Sequence, residues 1–441
     1  MHESDETTLS GSEAAAPATS MVTLRVLFEP ERAGARPAVP LGEDRFAVGR
    51  SRSQAQLTLN DPRASRRHAV FSALGPDRAR VEDVSSNGTF VNGERVNGSV
   101  EVGDGDLVRV GDSFLLIRVT STQPARDARI PALTGMHESM RALRHTILSV
   151  APTDAKVLIV GETGTGKELV ARAIHEHGGR TGRFVAVNCG AIPESLAESQ
   201  LFGHVAGAFT GARTAHVGFM RAADGGTLFL DEIGELSPIL QPKLLRALEE
   251  RRVTPVGSTE SVPVDIRLVA ATHRELLDEV DASRFRGDLY ARLAGYLVHT
   301  VPLRKRREDI LPLVYASLPA DAPPLAADLV EALLLHRFRF NVRELKEIVT
   351  QLAIDGAGAE KLTRAMIQHR LERHTTSEPP PPRTESSLPP PAEEKRPIPS
   401  REELEALVTL HGGNVSRIAR ELRRSRRQIY RYLERYGISV G

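Results

Sequence analysis

A glycine-rich segment at positions 161–167 (GETGTGK) lies between an apolar run at 156–160 and a helix-forming stretch at 169–175. Glycines allow successive backbone N–H groups to curl around a phosphate, and the amino end of a helix favours an anion. Lys167 adds a positive charge for the β- and γ-phosphates of a nucleotide. The alternative is a glycine-rich turn without a ligand. The order of strand, loop and helix, together with the lysine, favours a phosphate-binding loop.

A second apolar strand, at 227–230, ends in Asp231 and Glu232. Beside a phosphate-binding loop, Asp231 is predicted to hold Mg²⁺ and Glu232 to polarise the attacking water. Taken alone, such a pair is usually a solvated strand end. The apolar runs at 157–160, 228–230 and 266–270 alternate with helix-length segments. This alternation predicts a central α/β domain with a mostly parallel sheet over residues 131–373.

Residues 131–373 resemble the AAA+ domain of bacterial enhancer-binding proteins, the ATPases that activate RNA polymerase carrying sigma-54. The resemblance covers nearly the whole segment and includes several motifs in order. It implies ATP and Mg²⁺ as cofactors and a helical lid. It also implies a homo-oligomer, which ranges from a dimer to a hexameric ring. It places the nucleotide against the glycine-rich loop and a lid arginine, which are Gly161, Glu162, Thr163, Gly164, Thr165, Gly166, Lys167, Glu168 and Arg343.

The resemblance also implies roles in hydrolysis. The family's magnesium and catalytic carboxylates fall on Asp231 and Glu232, and its asparagine that restrains the catalytic glutamate falls on Asn188. Its arginine fingers, which reach the nucleotide of the neighbouring subunit, fall on Arg286 and Arg292. A finger of this kind neutralises charge in the transition state.

Two segments depart from the family pattern. The family's sensor asparagine is His273 here, and its Trp-Pro-Gly before the lid motif is Phe-Arg-Phe at 338–340. A histidine still donates one hydrogen bond, but its protonation changes near neutral pH. We expect these departures to affect the hydrolysis rate and its coupling, and the angle of the lid, more than ATP binding.

The hexapeptide GAFTGA at 207–212 is the most specific motif of the chain. In the family that the central domain resembles, it forms the tip of a loop that engages sigma-54 in step with ATP hydrolysis. The alternative is a flexible loop with a buried phenylalanine. Glycines permit a mobile loop, and the aromatic ring and hydroxyl supply an apolar and a polar contact. The implied sigma-54 contacts are Gly207, Ala208, Phe209, Thr210, Gly211 and Ala212.

Residues 21–120 are predicted to form a β-sandwich. Apolar residues alternate at 22, 24, 26 and 28, and Asn92-Gly93 between two short β-prone runs predicts a hairpin. In order along the chain stand Gly49-Arg50, SRRHA at 65–69, SSNGT at 85–89 and VNG at 91–93. These landmarks resemble the forkhead-associated (FHA) domain, which binds phosphothreonine peptides.

The FHA resemblance implies a phosphopeptide site on loops. Arg50 and Ser65 would hold the phosphate, Arg66 would add charge, and Ser86 and Asn87 would fix the peptide backbone. His68 is expected to brace the loops rather than touch the ligand. Ordinary turn chemistry is the alternative for each residue taken singly. The implied partner is a protein carrying phosphothreonine, supplied by a Ser/Thr kinase.

The segment 401–441 is predicted to be helical and to bind DNA. Leu404, Leu407 and Val408 keep helical spacing, and capping and apolar residues between 414 and 437 follow helix-turn-helix spacing. This segment resembles the Fis-type module of the same activators. Eight arginines stand against two glutamates in 411–441, an electrostatic footprint for DNA phosphates. The predicted DNA contacts are Ser425, Arg426, Arg427, Gln428, Tyr430 and Arg431.

Composition bounds the remaining possibilities. The chain has 441 residues and a formal net charge of +1, which indicates no partner by itself. The single cysteine, Cys189, excludes an internal disulfide and a cysteine-rich zinc site. Because no apolar run approaches the roughly 18 residues of a membrane span and no secretory signal is visible, we expect a cytoplasmic protein without a membrane partner. Residues 1–20 lack periodicity, and 374–400 hold nine of the 28 prolines, so we expect a disordered start and a linker.

These patterns together predict an ATP-dependent transcription activator that binds enhancer DNA and remodels the closed complex of sigma-54 RNA polymerase, gated by phosphothreonine recognition. Two alternatives remain at this stage. One is a phosphopeptide-dependent DNA-binding regulator with a vestigial ATPase, and the other is an AAA+ remodeller of a different complex.

Overall fold

The computed structural model describes residues 20–30, 32, 34–121, 128–373 and 400–411, together with positions 418, 422, 432, 433, 436 and 438. The chain divides into two compact units, Met1–Thr376 and Ser377–Gly441. The predicted disordered start, apart from Ser20, and the predicted linker, apart from Ser400, lie outside the described residues, as do the predicted DNA contacts at 425–431.

The amino-terminal part of the first unit is a β-sandwich of two sheets. A six-stranded sheet runs β2-β1-β11-β10-β7-β8 and a five-stranded sheet runs β4-β3-β5-β6-β9. The strands are β1 (Ser20–Phe28), β2 (Val39–Pro40), β3 (Phe46–Gly49), β4 (Leu57–Thr58), β5 (Ala69–Ala73), β6 (Arg78–Asp83), β7 (Thr89–Val91), β8 (Glu94–Arg95), β9 (Ser99–Gly103), β10 (Leu107–Val110) and β11 (Ser113–Ser121).

Local sequence explains the sandwich. The alternating residues of β1 place Val22, Leu24 and Val26 in the core between the sheets. The predicted hairpin is confirmed, because β7 and β8 pair antiparallel on either side of Asn92 and Gly93. Both turn residues have positive φ, 49° and 86°, the conformation that two-residue hairpins require.

The central domain is a five-stranded sheet with helices packed around it. Its order is β13-β14-β17-β12-β18, and each neighbouring pair is parallel, as predicted. The carboxyl ends of the strands therefore meet at one edge. The elements are α1 (Glu138–Val150), β12 (Val157–Val160), α2 (Lys167–Glu176), β13 (Phe184–Asn188), α3 (Glu194–Phe202), α4 (Phe219–Ala222), β14 (Thr227–Asp231), α5 (Leu240–Glu250), β15 (Arg252–Val253), β16 (Val262–Pro263), β17 (Arg267–Thr272), α6 (Leu276–Asp281), α7 (Gly287–Leu293) and β18 (Tyr296–His299).

A helical lid follows the sheet. Its helices are α8 (Ile310–Ser317), α9 (Ala327–Leu335), α10 (Asn341–Asp355) and α11 (Gln368–Arg373). Residues 303–309, which we call the hinge segment, join β18 to α8 through two short 3₁₀ turns. Leu329, Leu333, Leu345 and Ile348 pack together in the lid core. Their spacing within each helix follows the helical period.

The second unit is described for one helix and six positions beyond it. Helix α12 (Arg401–Leu410) matches the helix predicted from Leu404, Leu407 and Val408. Leu404 is buried with Ile418, Tyr432 and Leu433 in a small apolar core. Among the residues that the structure describes in both units, no helix combines the length and the apolar character needed to cross a membrane.

Candidate nucleotide site

The glycine-rich loop connects β12 to the amino end of α2 at the carboxyl edge of the sheet. Gly164 and Gly166 have φ of 78° and 102°, a conformation that residues with a Cβ rarely adopt. A Cβ at Gly164 would also collide with the backbone carbonyl of Phe340 in the lid. The loop conformation therefore depends on glycine, and the lid lies directly against it.

Lys167 begins α2, and its side chain is buried. Its Nζ donates to the carbonyl oxygens of Gly161 and Glu162 at 2.9 and 3.4 Å. The same Nζ lies 3.6 Å from Oε1 of Glu232. The ammonium group therefore stands between the glycine-rich loop and the acidic end of β14, where a nucleotide phosphate would meet both.

Asp231 and Glu232 stand at the end of β14. The backbone N–H of Glu232 donates to Oδ1 of Asp231 at 3.1 Å, and Glu232 adopts a left-handed conformation with φ of 51°. This turn lets the adjacent carboxylates point to different partners. On the neighbouring strand, Asn188 pairs in register with Asp231. Its Oδ1 accepts from the N–H groups of Gly190 and Ala191, at 3.0 and 3.1 Å.

The two carboxyl groups differ in acidity. Burial, with the neighbouring charge of Glu232, raises the pKa of Asp231. Burial also acts to raise the pKa of Glu232, but the hydrogen bond from His273 and the charge of Lys167 outweigh it, so this pKa lies below its ordinary value. Glu232 is therefore held as an acceptor at neutral pH. An ionised carboxylate is what a water-polarising residue requires.

His273 is the residue that contacts Glu232 most closely among the described side chains. Its Nδ1–H donates to Oε2 of Glu232 at 2.6 Å, and its backbone N–H approaches the same oxygen at 3.3 Å. From the family resemblance, Asn188 is the residue expected to restrain this glutamate, and His273 is expected only as a departure from the family pattern. The contact spans 41 positions and arises because β14 and β17 are neighbours in the sheet.

Glu162 links the loop to the lid and to the hinge segment. Its carboxylate accepts from Arg304 Nη1 at 2.6 Å and from Asn341 Nδ2 at 3.2 Å. The bond from Arg304 lowers the pKa of Glu162. Asn341 Nδ2 also donates to the carbonyl of Thr163 at 3.0 Å. Arg304 and Asn341 have no role predicted from the sequence, although Asn341 lies two residues before Arg343 in the lid motif.

The predicted lid and finger arginines are exposed. Arg343 is exposed, and its Cβ lies close to Gly164. Arg286 precedes α7 and forms an ion pair with Asp288 at 2.7 Å. Arg292 lies on the exposed side of the last turn of α7. The structure brings Arg343 next to the loop of its own chain and leaves both finger arginines at the surface.

The GAFTGA segment forms a closed, projecting loop. The N–H of Gly207 donates to the carbonyl of Ala212 at 2.8 Å. Phe209 is 40% exposed and Thr210 is exposed, so the alternative of a buried phenylalanine does not hold. The His204 ring lies 5.0 Å from the Phe209 ring, and its Nε2 lies 3.0 Å from the carbonyl of Thr214. The base of the loop is therefore anchored and its tip is available for contact.

The predicted phosphopeptide residues gather on loops at one end of the sandwich. Arg50, Arg66, Ser86 and Asn87 are exposed, and Ser65 Oγ lies 3.3 Å from Ser86 Oγ. The backbone N–H of Arg50 donates to the carbonyl of Ser65 at 3.0 Å, so the structure places this arginine beside the two hydroxyls. Such groups suit a phosphate with nearly two negative charges.

His68 is buried and braces these loops, as expected. Burial lowers its pKa, so the ring is neutral. Nδ1 accepts from the N–H of Ser65 at 2.9 Å, and Nε2–H donates to the carbonyl of Gly88 at 3.2 Å.

Known proteins resemble both domains of the first unit. Residues 133–299 match the sigma-54 interaction domain family, and residues 46–111 match the FHA domain family. The transcriptional regulatory protein ZraR of Klebsiella oxytoca is 51% identical over 233 residues, which are 50% of this chain and 52% of that protein. The anaerobic nitric oxide reductase transcription regulator NorR of Vibrio vulnificus (strain YJ016) is 47% identical over 230 residues, 50% of this chain and 45% of that protein.

A solved structure resembles a larger part of the chain. NtrX from Brucella abortus, crystallised in complex with ATP, is 32% identical with a TM-score of 0.51, over 71% of this chain and 70% of that one. By contrast, the chain spans about half the length of the curated relatives ZraR and NorR.

Proposed function

We propose that this chain, which belongs to the family of sigma-54-dependent transcriptional regulators, activates transcription by coupling ATP hydrolysis to remodelling of the closed sigma-54 RNA polymerase complex. The observation that carries the proposal is the grouping of Lys167, Asp231 and Glu232 at one edge of the parallel sheet, with the lysine ammonium 3.6 Å from the glutamate. A phosphate-binding loop beside an ionised carboxylate is the arrangement that nucleotide hydrolysis needs.

In this proposal the glycine-rich loop and Lys167 bind the phosphates of ATP, with Glu168 and Arg343 completing the nucleotide site. Asp231 would hold Mg²⁺, which supplies charge neutralisation at the β- and γ-phosphates. Glu232 accepts a hydrogen bond from the attacking water, and Asn188 lies on the adjoining strand to restrain it. The left-handed backbone of Glu232 and its hydrogen bond from His273 keep this carboxylate in place beside Lys167.

The arginine fingers act between subunits. Arg286 and Arg292 are exposed on and beside α7, so a neighbouring subunit in a ring can receive them at its nucleotide. Each would stabilise charge that develops in the transition state. Arg286 would exchange its ion pair with Asp288 for the phosphate when the ring assembles.

The exposed loop at 207–212 is the proposed contact with sigma-54. The hydrogen bond that closes its base makes the loop move as one piece when the nucleotide state changes. The exposed Phe209 and Thr210 would transfer this movement to the polymerase complex. The sandwich would bind a phosphothreonine-containing partner through Arg50, Ser65, Arg66, Ser86 and Asn87. The residues at 425–431 would bind enhancer DNA. The protein would then act in the cytoplasm, where RNA polymerase works.

Transcription in vitro from a sigma-54 promoter tests the proposal. We expect ATP-dependent open complexes with the full chain, and no ATP hydrolysis with Lys167→Ala or Glu232→Gln. Thr210→Ala should hydrolyse ATP normally yet form no open complex, whereas Thr350→Ala, an exposed threonine on α10, should behave as the native chain in both assays.

The outcomes separate the alternatives. Open complexes without any ATP hydrolysis would support a DNA-binding regulator with a vestigial ATPase. Hydrolysis with undiminished open-complex formation by Thr210→Ala would remove the proposed role of the loop. Hydrolysis without open complexes from the native chain would point to remodelling of a different target.

A further inference from the structure

The outer face of the six-stranded sheet of the sandwich carries a buried apolar patch. In β11, Leu115 and Ile117 point into the core between the two sheets, whereas Phe114 and Leu116 belong to the apolar cluster of the lid. These four consecutive apolar residues make a strand that is buried on both faces. Together with Phe28 and Leu107, the outer pair forms a surface that we call the docking face.

The docking face packs against the lid. Its residues share one buried cluster with Ile310 of α8 and with Leu329 and Leu333 of α9. Phe114 and Leu116 are 0% and 1% exposed. Separation of the two domains would expose these apolar side chains to water, which is unfavourable in proportion to the apolar area exposed. The sandwich is therefore docked on the ATPase domain rather than merely tethered to it.

Polar contacts attach the sandwich to both parts of the nucleotide-binding domain. These parts are the lid and the part that contains the five-stranded sheet and α1, which we call the core. Arg109 of β10 donates to Glu331 of α9 in the lid at 2.7 Å. Arg118 of β11 donates to Nε2 of His137, the residue that precedes α1 in the core, at 2.8 Å. Burial and the charge of Arg118 lower the pKa of His137 to about 4, so the ring is neutral and accepts this bond. The sandwich thus bridges core and lid.

The hinge segment between core and lid also contacts the sandwich. Arg307 Nη1 donates to the carbonyl of Gly105 at 2.8 Å and lies 3.1 Å from Oδ1 of Asn92, both in the sandwich. Three residues earlier, Arg304 binds Glu162 of the glycine-rich loop. One short segment therefore contacts the sandwich at one end and the nucleotide loop at the other.

We propose that the docked sandwich is an intramolecular brace that fixes the angle between core and lid and thereby slows ATP turnover. Lid movement commonly sets the rate of nucleotide exchange, and a domain fastened to both parts opposes that movement. The predicted phosphopeptide loops remain exposed in the docked arrangement. The inference rests on the proposed ATPase activity.

Reversing a charge across the docking face tests the brace in the full-length chain. Glu331→Arg places two cations together, and we expect steady-state ATP turnover to rise about two- to fivefold, the shift that an ion pair of this exposure supplies. Adding Arg109→Glu restores the opposite charges and should return the rate to that of the native chain. The matched control is Arg80→Glu in β6, whose exposed ion pair with Glu101 joins two strands of the other sheet; it should leave the rate unchanged.

A covalent tether provides an independent measurement. Arg109→Cys with Glu331→Cys can be joined by a short bismaleimide, and the tethered protein should turn over ATP more slowly than the same protein before linking. Cys189 does not compete, because it is buried and its pKa is raised to about 12. This variant keeps the test available if the charge reversal fails to fold.

The results separate this inference from the proposed function. A native chain that hydrolyses no ATP refutes the ATPase itself. Normal hydrolysis with an unchanged or lower rate in Glu331→Arg, or with no slowing on tethering, refutes the brace alone.

Discussion

Replacing His273 by alanine removes the hydrogen bond that holds the proposed catalytic carboxylate of Glu232. A hydrogen bond to a charged group contributes about 1.5–3 kcal/mol. Because the His273 side chain is 40% exposed, solvent screening reduces this to about 1 kcal/mol. If the bond orients Glu232 for water activation, the loss corresponds to a roughly fivefold decrease in kcat.

The pH dependence gives a sharper signature than the rate. In the native chain, His273 and Lys167 hold the pKa of Glu232 below its ordinary value against the effect of burial. Without the imidazole, burial is opposed only by the lysine charge and by the backbone N–H of residue 273, so the pKa of Glu232 rises. The carboxylate then becomes protonated at a higher pH, and the acid limb of the profile of kcat against pH moves toward neutrality.

Steady-state ATP hydrolysis between mildly acidic and mildly alkaline pH measures both effects. His273→Asn should retain much of the rate, since its side-chain amide can donate to the same oxygen. His145→Ala, an exposed histidine on α1, is the matched control. An acid limb that stays in place in His273→Ala would refute the argument that this contact sets the acidity of Glu232.

Two further substitutions test the scaffold of the site. Gly164→Ala introduces a Cβ against the lid backbone at φ of 78°, so isothermal calorimetry should show weakened nucleotide binding; Gly358→Ala, at φ of 79° with open space around it, should bind as the native chain does. Phe229→Ala empties a position in β14 that is 1% exposed, and urea denaturation should show a loss of about 3–5 kcal/mol, whereas Phe209→Ala at an exposed loop tip should leave unfolding unchanged.

Local motifs made much of the fold and of the phosphate site predictable. The glycine-rich loop could be predicted locally, because glycine permits the positive φ that Gly164 and Gly166 adopt. The strand before it and the helix after it follow from apolar runs of the right length. The predicted hairpin at Asn92 depends on two adjacent residues only.

Contacts between distant segments could not be predicted in the same way. His273 meets Glu232 because their strands are neighbours in the sheet, and no spacing along the chain encodes strand order. The apolar run of β11 is typical of a strand, but the identity of the surface that covers Phe114 and Leu116 depends on how two domains pack. A strand that is apolar on both faces does signal a second covering layer, and in this chain the lid provides it.

The divergence of Asp231 and Glu232 shows how backbone geometry separates two identical functional groups. Both carboxylates are partly buried and one residue apart, and mutual repulsion alone would raise both pKa values. The left-handed conformation at Glu232 turns its side chain toward His273 and Lys167, which favour the ionised form. Asp231 has no comparable donor among the described side chains, and its pKa is raised.

A bound Mg²⁺ would reverse the shift in the pKa of Asp231, because a divalent cation favours the ionised ligand. Binding of the metal with ATP should therefore release protons at acidic pH, and calorimetry in buffers of different ionisation enthalpy would detect them. An Asp231→Asn chain should release fewer.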